Sequence, residues 1–202
     1  MRLKNRARES RSDESLEAQI ESDPSRRASG VQARAQRSMS ASSATLAALR
    51  LERPLVSIGS PADPALLEPT YAYLSAYSAT CFTPAVAQRL NVAIYELYAN
   101  ALRYGTAAGE VRLEIERTPN GEGAKLVVVN RAEPARIAEL QAHLARVQAD
   151  PNAAFMGEMN RFAGRSQPPP MLGIVRVAHE SALALELQVD GDLVAISTIC
   201  DG

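Results

Sequence analysis

The segment from Thr83 to Gly105 constrains the fold more than any other, because both of its ends are marked. The Thr83 side chain can accept a free backbone N–H at the start of a helix, and Pro84 suits the first helical position. Gly105 suits the position just past the end. Between them, AVAQRLNVAIYELYANALRY makes about six turns with few strong breakers. Val86, Leu90, Ile94, Leu97 and Ala101 recur at three- and four-residue spacing, which predicts a single buried stripe.

After Gly105 the period changes. Val111, Leu113 and Ile115 alternate with Arg112, Glu114 and Glu116, which predicts a half-exposed strand. Pro119-Asn120-Gly121 reads as a turn, and residues 125–130 as a second, more buried strand. Ahead of the capped helix, residues 55–59 read as a short strand and residues 64–78 as a helix, with Pro69 leaving its register open. Beyond the hairpin, residues 133–149 read as an amphipathic helix, 151–163 as a further short helix and 172–180 as another. Residues 183–189 and 193–199 close the chain as a hairpin across Asp190-Gly191. This order predicts an α+β fold, a two-layer sandwich of a mixed, mostly antiparallel sheet covered on one face by helices.

The net charge of −1 over 202 residues conceals a division. Residues 1–50 hold ten Lys and Arg against six Asp and Glu, and have almost no large apolar residue before Leu46. That composition cannot bury enough surface to offset chain entropy, so residues 1–50 are expected to be a disordered basic tail and residues 51–202 the domain. The tail lacks a signal-peptide core, and its acidic residues argue against a mitochondrial leader and against nucleic acid as the partner. Met39, followed by Ser-Ala-Ser-Ser-Ala, is expected to be the physiological start, with residues 1–38 an upstream extension. No apolar run reaches the roughly 18–20 residues that cross a bilayer. Two cysteines and two histidines argue against a disulfide framework and a Cys/His zinc site, and a reducing cytoplasm is the expected compartment.

Glu96, Asn100 and Arg103 stand at i, i+4 and i+7 of the capped helix and share one arc. The arc is separate from the apolar stripe and flanked by Tyr98 and Ala99. A carboxylate one turn before an amide suits proton acceptance or the orientation of a hydroxyl, and the amide oxygen suits Mg²⁺. The plain alternative is two solvated charges and a surface amide. His143 and His179 read as core or surface histidines. Neither a Gly-x-x-x-x-Gly-Lys-Ser/Thr loop nor a protein-kinase signature set is present.

The run ELYANALRYG, followed by a hairpin, resembles the N box of the Bergerat-type (GHKL, histidine kinase and Hsp90-like) ATPase superfamily. It is most similar to the anti-sigma-factor serine kinases and the SiaB-type partner-switching kinases. Element order extends the resemblance from about residue 54 to 200. It implies a Bergerat-type ATP-binding fold with ATP and Mg²⁺ as cofactors, Asn100 as the Mg²⁺ ligand and Glu96 as the catalytic base. Arg103 would lie near the phosphates. Asn130 stands where the superfamily places an adenine-binding Asp, and its amide oxygen can accept the same hydrogen bond without charge. Gly173 is what remains of a glycine-rich box, placed to let backbone N–H groups approach a phosphate, with a packing glycine as the equal alternative. Residues 150–170 occupy the place of the superfamily's flexible lid and offer Asn152, Asn160, Arg161 and Arg165. The resemblance implies a Ser/Thr protein kinase acting on a small STAS-like or SiaC-like partner, with a homodimer compatible with it. The alternative is a degenerate, non-catalytic adaptor that works by protein–protein binding. The missing glycines and Asn130 favour the adaptor; the Glu96–Asn100 pair favours the kinase.

Overall fold

The computed structural model describes residues 51–107, 109–163 and 172–202. The expectations for the tail, for Arg165 and for the Pro168–Pro170 run lie outside the described residues. Strand β1 (Val56–Pro61) leads through a 3-10 turn at Pro64–Leu66 into helix α1 (Leu67–Cys81), and helix α2 (Pro84–Tyr104) follows. Asp63 caps the 3-10 turn, its carboxylate accepting from Ala65 N at 2.9 Å. The hairpin β2 (Glu110–Arg117) and β3 (Ala124–Arg131) precedes α3 (Pro134–Ala149), α4 (Pro151–Phe162) and α5 (Leu172–Glu180). Strands β4 (Leu185–Asp190) and β5 (Leu193–Cys200) complete the fold.

The five strands form one sheet in the order β1-β2-β3-β5-β4. All four pairings are antiparallel, so the α+β sandwich with a mostly antiparallel sheet is realised with no parallel pair among the described strands. The physical reason is connectivity: β2–β3 and β4–β5 are hairpins, and β5 enters beside β3 in the opposite direction. Val111, Leu113, Ile115, Leu126, Val128, Val194 and Ile196 alternate onto the helical side and join one core. Helix α2 lies across β2, β3 and β5, with α1 and α5 packed against it, α4 against α5 and α3 against β4.

The stripe expected on α2 is buried as a set: Val86, Leu90, Ile94, Leu97 and Ala101 all belong to the core. Tyr98 is completely buried as well, and its hydroxyl shares a 2.8 Å hydrogen bond with Ser60 Oγ of β1. Thr83 Oγ1 caps α2 by accepting from Val86 N at 3.4 Å. Gly105 follows the helix but at φ −64°, which any residue can adopt. Its missing side chain is explained by proximity instead. A Cβ there would lie 2.7 Å from the Ala101 carbonyl oxygen and 3.1 Å from the Ala62 Cβ.

Strand β2 departs from the half-exposed pattern. Arg112 and Glu114 point away from the helices yet are buried, at 7% and 2% exposure. Glu114 is satisfied from three directions: Arg112 Nε at 3.2 Å, Ser57 Oγ at 3.2 Å and the Leu51 backbone N–H at 2.8 Å. A charge can occupy a buried strand position when it is paired and hydrogen-bonded, so alternation of residue type marks the face but not its exposure. The short helix expected over residues 151–163 is present as α4. Asp150 caps α4 by accepting from Ala153 N at 2.9 Å, and the helix runs regularly to Phe162.

Candidate functional site

A small cleft of about 40 Å³ opens between α2, the strands β3 and β5, and the start of α3. Its walls are mainly apolar: Leu97 and Ala101 from α2, Val128 from β3, Val194 and Ile196 from β5, Ile137 and Leu140 from α3, and Ile174 from α5. Into this surface project two amides, Asn100 and Asn130, together with Tyr104 and Arg136. Apolar walls with a few fixed polar groups are the usual composition of a small-molecule site, but such sites enclose roughly 300–1,000 Å³, so a nucleotide-sized ligand requires this cleft to widen.

Local structure explains how the amides meet. Asn100 is one residue before the buried Ala101 on α2, so it sits at the boundary between the core stripe and the polar arc. Asn130 follows Leu126 and Val128 at the strand period of two, which turns it to the helical side. It pairs with Val194 in the register of β3 and β5. Its Nδ2 donates to the Arg131 carbonyl at 3.2 Å, leaving Oδ1 as the acceptor available to a ligand. The Asn100 Nδ2 is buried and has no hydrogen-bond acceptor among the described residues. A buried donor without an acceptor is unusual and costly, which singles this atom out among the polar groups of the cleft.

Glu96 and Gly173 come together elsewhere, against α5 and not on the lining of the cleft. The Glu96 side chain is 13% exposed and forms an ion pair with Arg176 Nη1. The same guanidinium holds Glu180, through Nε to Oε1 at 3.1 Å and Nη2 to Oε2 at 3.1 Å. Burial pushes the Glu96 carboxyl above the ordinary carboxylate range; Arg176 pulls it down, Glu180 raises it and Arg103 lowers it. Gly173 packs directly on this carboxylate: a Cβ there would stand 3.1 Å from both Cβ and Cδ of Glu96. The space before Gly173 is thus filled by a protein carboxylate, which accounts for the glycine without a phosphate. Arg103 is exposed and does not line the cleft.

Three site residues were not singled out from the sequence. Arg176 lies three residues after Gly173 and four before Glu180, and that acidic spacing on one helix was the available signal. Tyr104 and Arg136 meet at the mouth of the cleft, with the guanidinium 5.8 Å from the ring centroid. The sequence carries no signal for that pairing, because the two residues belong to separate helices. The histidines lie apart from the cleft. His143 is buried with Arg146 Nη2 at 3.1 Å from Nδ1, and His179 stacks on Phe155 with centroids 4.1 Å apart. Among the described residues there is no cluster of three His, Cys, Asp or Glu able to hold a metal, and no helix is long and apolar enough to cross a membrane.

No family model matches the chain, and no curated protein matches it. Among solved structures it is similar to a chain of the SiaB–SiaC complex from Pseudomonas aeruginosa. The TM-score is 0.54 at 20% identity, over 74% of this chain and 91% of that one. The two share a fold.

Proposed function

We propose that this chain is an ATP·Mg²⁺-binding regulator of a bacterial partner-switching system, acting as a Ser/Thr protein kinase with a Bergerat-type fold. The observation that carries the reading is the orphaned Asn100 Nδ2 in an apolar cleft with Asn130 also on its lining. The cleft walls suit a flat heterocycle, and the Asn130 Oδ1 suits an exocyclic amino group as donor. The Asn100 amide offers a donor for a phosphate oxygen and, through Oδ1, a hard ligand for Mg²⁺. The similarity to a chain of the SiaB–SiaC complex supports a small regulatory protein of the SiaC type, or a STAS-like domain, as partner.

In this reading ATP·Mg²⁺ supplies the phosphoryl group. The hydroxyl oxygen of a partner Ser or Thr forms the new P–O bond as the β,γ-bridging P–O bond breaks. The Glu96 carboxylate, once released from Arg176 toward the cleft, would accept the hydroxyl proton, and ADP would leave. Catalysis of this kind depends on placement and on charge stabilisation more than on covalent chemistry by the protein.

A second reading, the non-catalytic adaptor, is favoured by one feature: Glu96 is occupied by Arg176 and Gly173 instead of lining the cleft. Calorimetry with ATP and Mg²⁺ separates the two. The kinase reading expects saturable binding that Asn100→Ala abolishes, and transfer to a partner that Glu96→Gln removes while binding persists. Absence of binding at millimolar ATP would end the kinase reading.

A further inference from the structure

One turn of α5 presents two unlike groups to the same carboxylate. Gly173 contributes a bare backbone surface, so close that a Cβ would stand 3.1 Å from Glu96 Cδ. Arg176, three residues later on the same face, contributes a cation to Glu96 Oε1. The guanidinium is itself held from the far side by Glu180, with contacts of 3.1 to 3.2 Å from Nε and Nη2. Glu96 therefore sits in a cradle with a steric floor and an electrostatic wall, and the wall is braced by a second carboxylate.

We propose that Arg176 is the positioning residue for Glu96, and that Gly173 and Arg176 together form a carboxylate cradle that fixes where its oxygens lie. The proposal deepens the kinase reading and rests on it for its functional arm alone. Glu96 stands one turn before Asn100 on a rigid helix, so a single side-chain rotation decides whether its carboxylate faces α5 or swings toward the cleft. The cradle holds it against α5, off the cleft lining. A glycine at 173 lets the carboxylate lie this close, since a Cβ there would make it shift, and a cation at 176 gives a half-buried carboxylate its partner. Arg176 touches neither cleft nor substrate and acts through Glu96.

The test uses the full chain with ¹³C-labelled glutamate. The side-chain carboxyl resonance of Glu96 is assigned by its disappearance in Glu96→Gln. Arg176→Gln is expected to displace and broaden that resonance. Arg176→Lys, which keeps a charge beside Glu96, is expected to leave it near the wild-type position, and Glu180→Gln, which removes only the brace, is expected to shift it less than Arg176→Gln does. Gly173→Ala attacks the opposite wall and is expected to displace the resonance as Arg176→Gln does. A resonance that Arg176→Gln leaves in place, or that Arg176→Gln and Arg176→Lys displace alike, overturns the proposal. The functional arm follows ATP hydrolysis with Mg²⁺. Because Arg176 holds Glu96 against α5 and off the cleft lining, Arg176→Gln is expected to raise kcat several-fold with KM unchanged, and a kcat that falls overturns the functional arm. A wild-type chain that does not turn over ATP refutes the kinase reading, and the Glu96 resonance still decides the cradle.

Discussion

Replacing Asn100 with leucine should stabilise the ligand-free protein while removing its nucleotide site. The Asn100 Nδ2 is buried without an acceptor among the described residues, in a cleft whose neighbouring walls are Leu97, Ala101 and Ile174. An unmade hydrogen bond on a buried donor costs about 1–3 kcal/mol, and an apolar group of similar shape does not incur it. Leucine is nearly isosteric with asparagine, so the change deletes the polar penalty with little change in packing. Taking the lower end, a gain of about 1 kcal/mol raises Tm by about 2–4 °C in a domain of this size. The assay is thermal unfolding of both proteins, with and without ATP and Mg²⁺. Ligand at a hundredfold excess over its Kd adds about 2.7 kcal/mol to a protein that binds it only when folded. Wild type should therefore gain the larger increment on adding nucleotide, and Asn100→Leu should gain none. The ordering of the two curves should invert between the two conditions. If Asn100→Leu is less stable than wild type without nucleotide, the amide has a structural partner and the argument for an awaited ligand fails.

Gly105→Val should destabilise by about 1–3 kcal/mol, the range for side chains forced into filled space, because the added Cβ would meet the Ala101 carbonyl oxygen at 2.7 Å; urea unfolding measures it. Glu114→Ala removes the carboxylate that pairs with buried Arg112 and strips an acceptor from Leu51 N and Ser57. Breaking a buried pair this way costs about 3–5 kcal/mol, and the double variant Arg112→Met/Glu114→Leu should recover most of it in the same urea assay. Cys200 is completely buried, and desolvation pushes its thiol up to about 11, against a small lowering by Arg89. Its folded pKa is raised, so the stability it contributes is whole below the unfolded value of about 8.5 and declines as pH rises toward the folded one. The urea midpoint should fall between pH 8 and 11 more steeply in wild type than in Cys200→Ala. Equal slopes would show that another group governs alkaline unfolding.

Regular elements were legible because their signals are local. The Thr83 cap, the Pro84 start and the α2 stripe each depend on residues within one or two turns, and each is realised. The hairpins were legible from turn residues and strand period in the same way. What escaped was decided by distant neighbours. The charges of β2 alternate as an exposed strand would, yet Glu114 is buried because Leu51, 63 residues away in sequence, donates to it. Gly105 was legible as a helix end, but the reason for glycine is the approach of Ala62 and the Ala101 carbonyl. Likewise Asn100 and Asn130 could be singled out separately, whereas their sharing of one cleft depends on the register of β3 against β5 and on how α2 crosses both.

Glu96 and Asn100 belong to the same short motif, but the fold treats them differently, and the difference bears on which of them points to a ligand. Glu96 has a return within the folded chain: its charge is met by Arg176, and its bulk fills the space that Gly173 leaves. A carboxylate so placed would be retained for structure alone. Asn100 has no such return, since its buried Nδ2 is unpaired among the described residues and a hydrocarbon side chain would serve the apo fold better. Polar groups that cost stability in the free protein are expected where a function repays them. The amide, more than the carboxylate, is therefore the residue on which a ligand-binding role rests. The adaptor reading must explain why an inert cleft would carry an orphaned donor, a burden the kinase reading does not have.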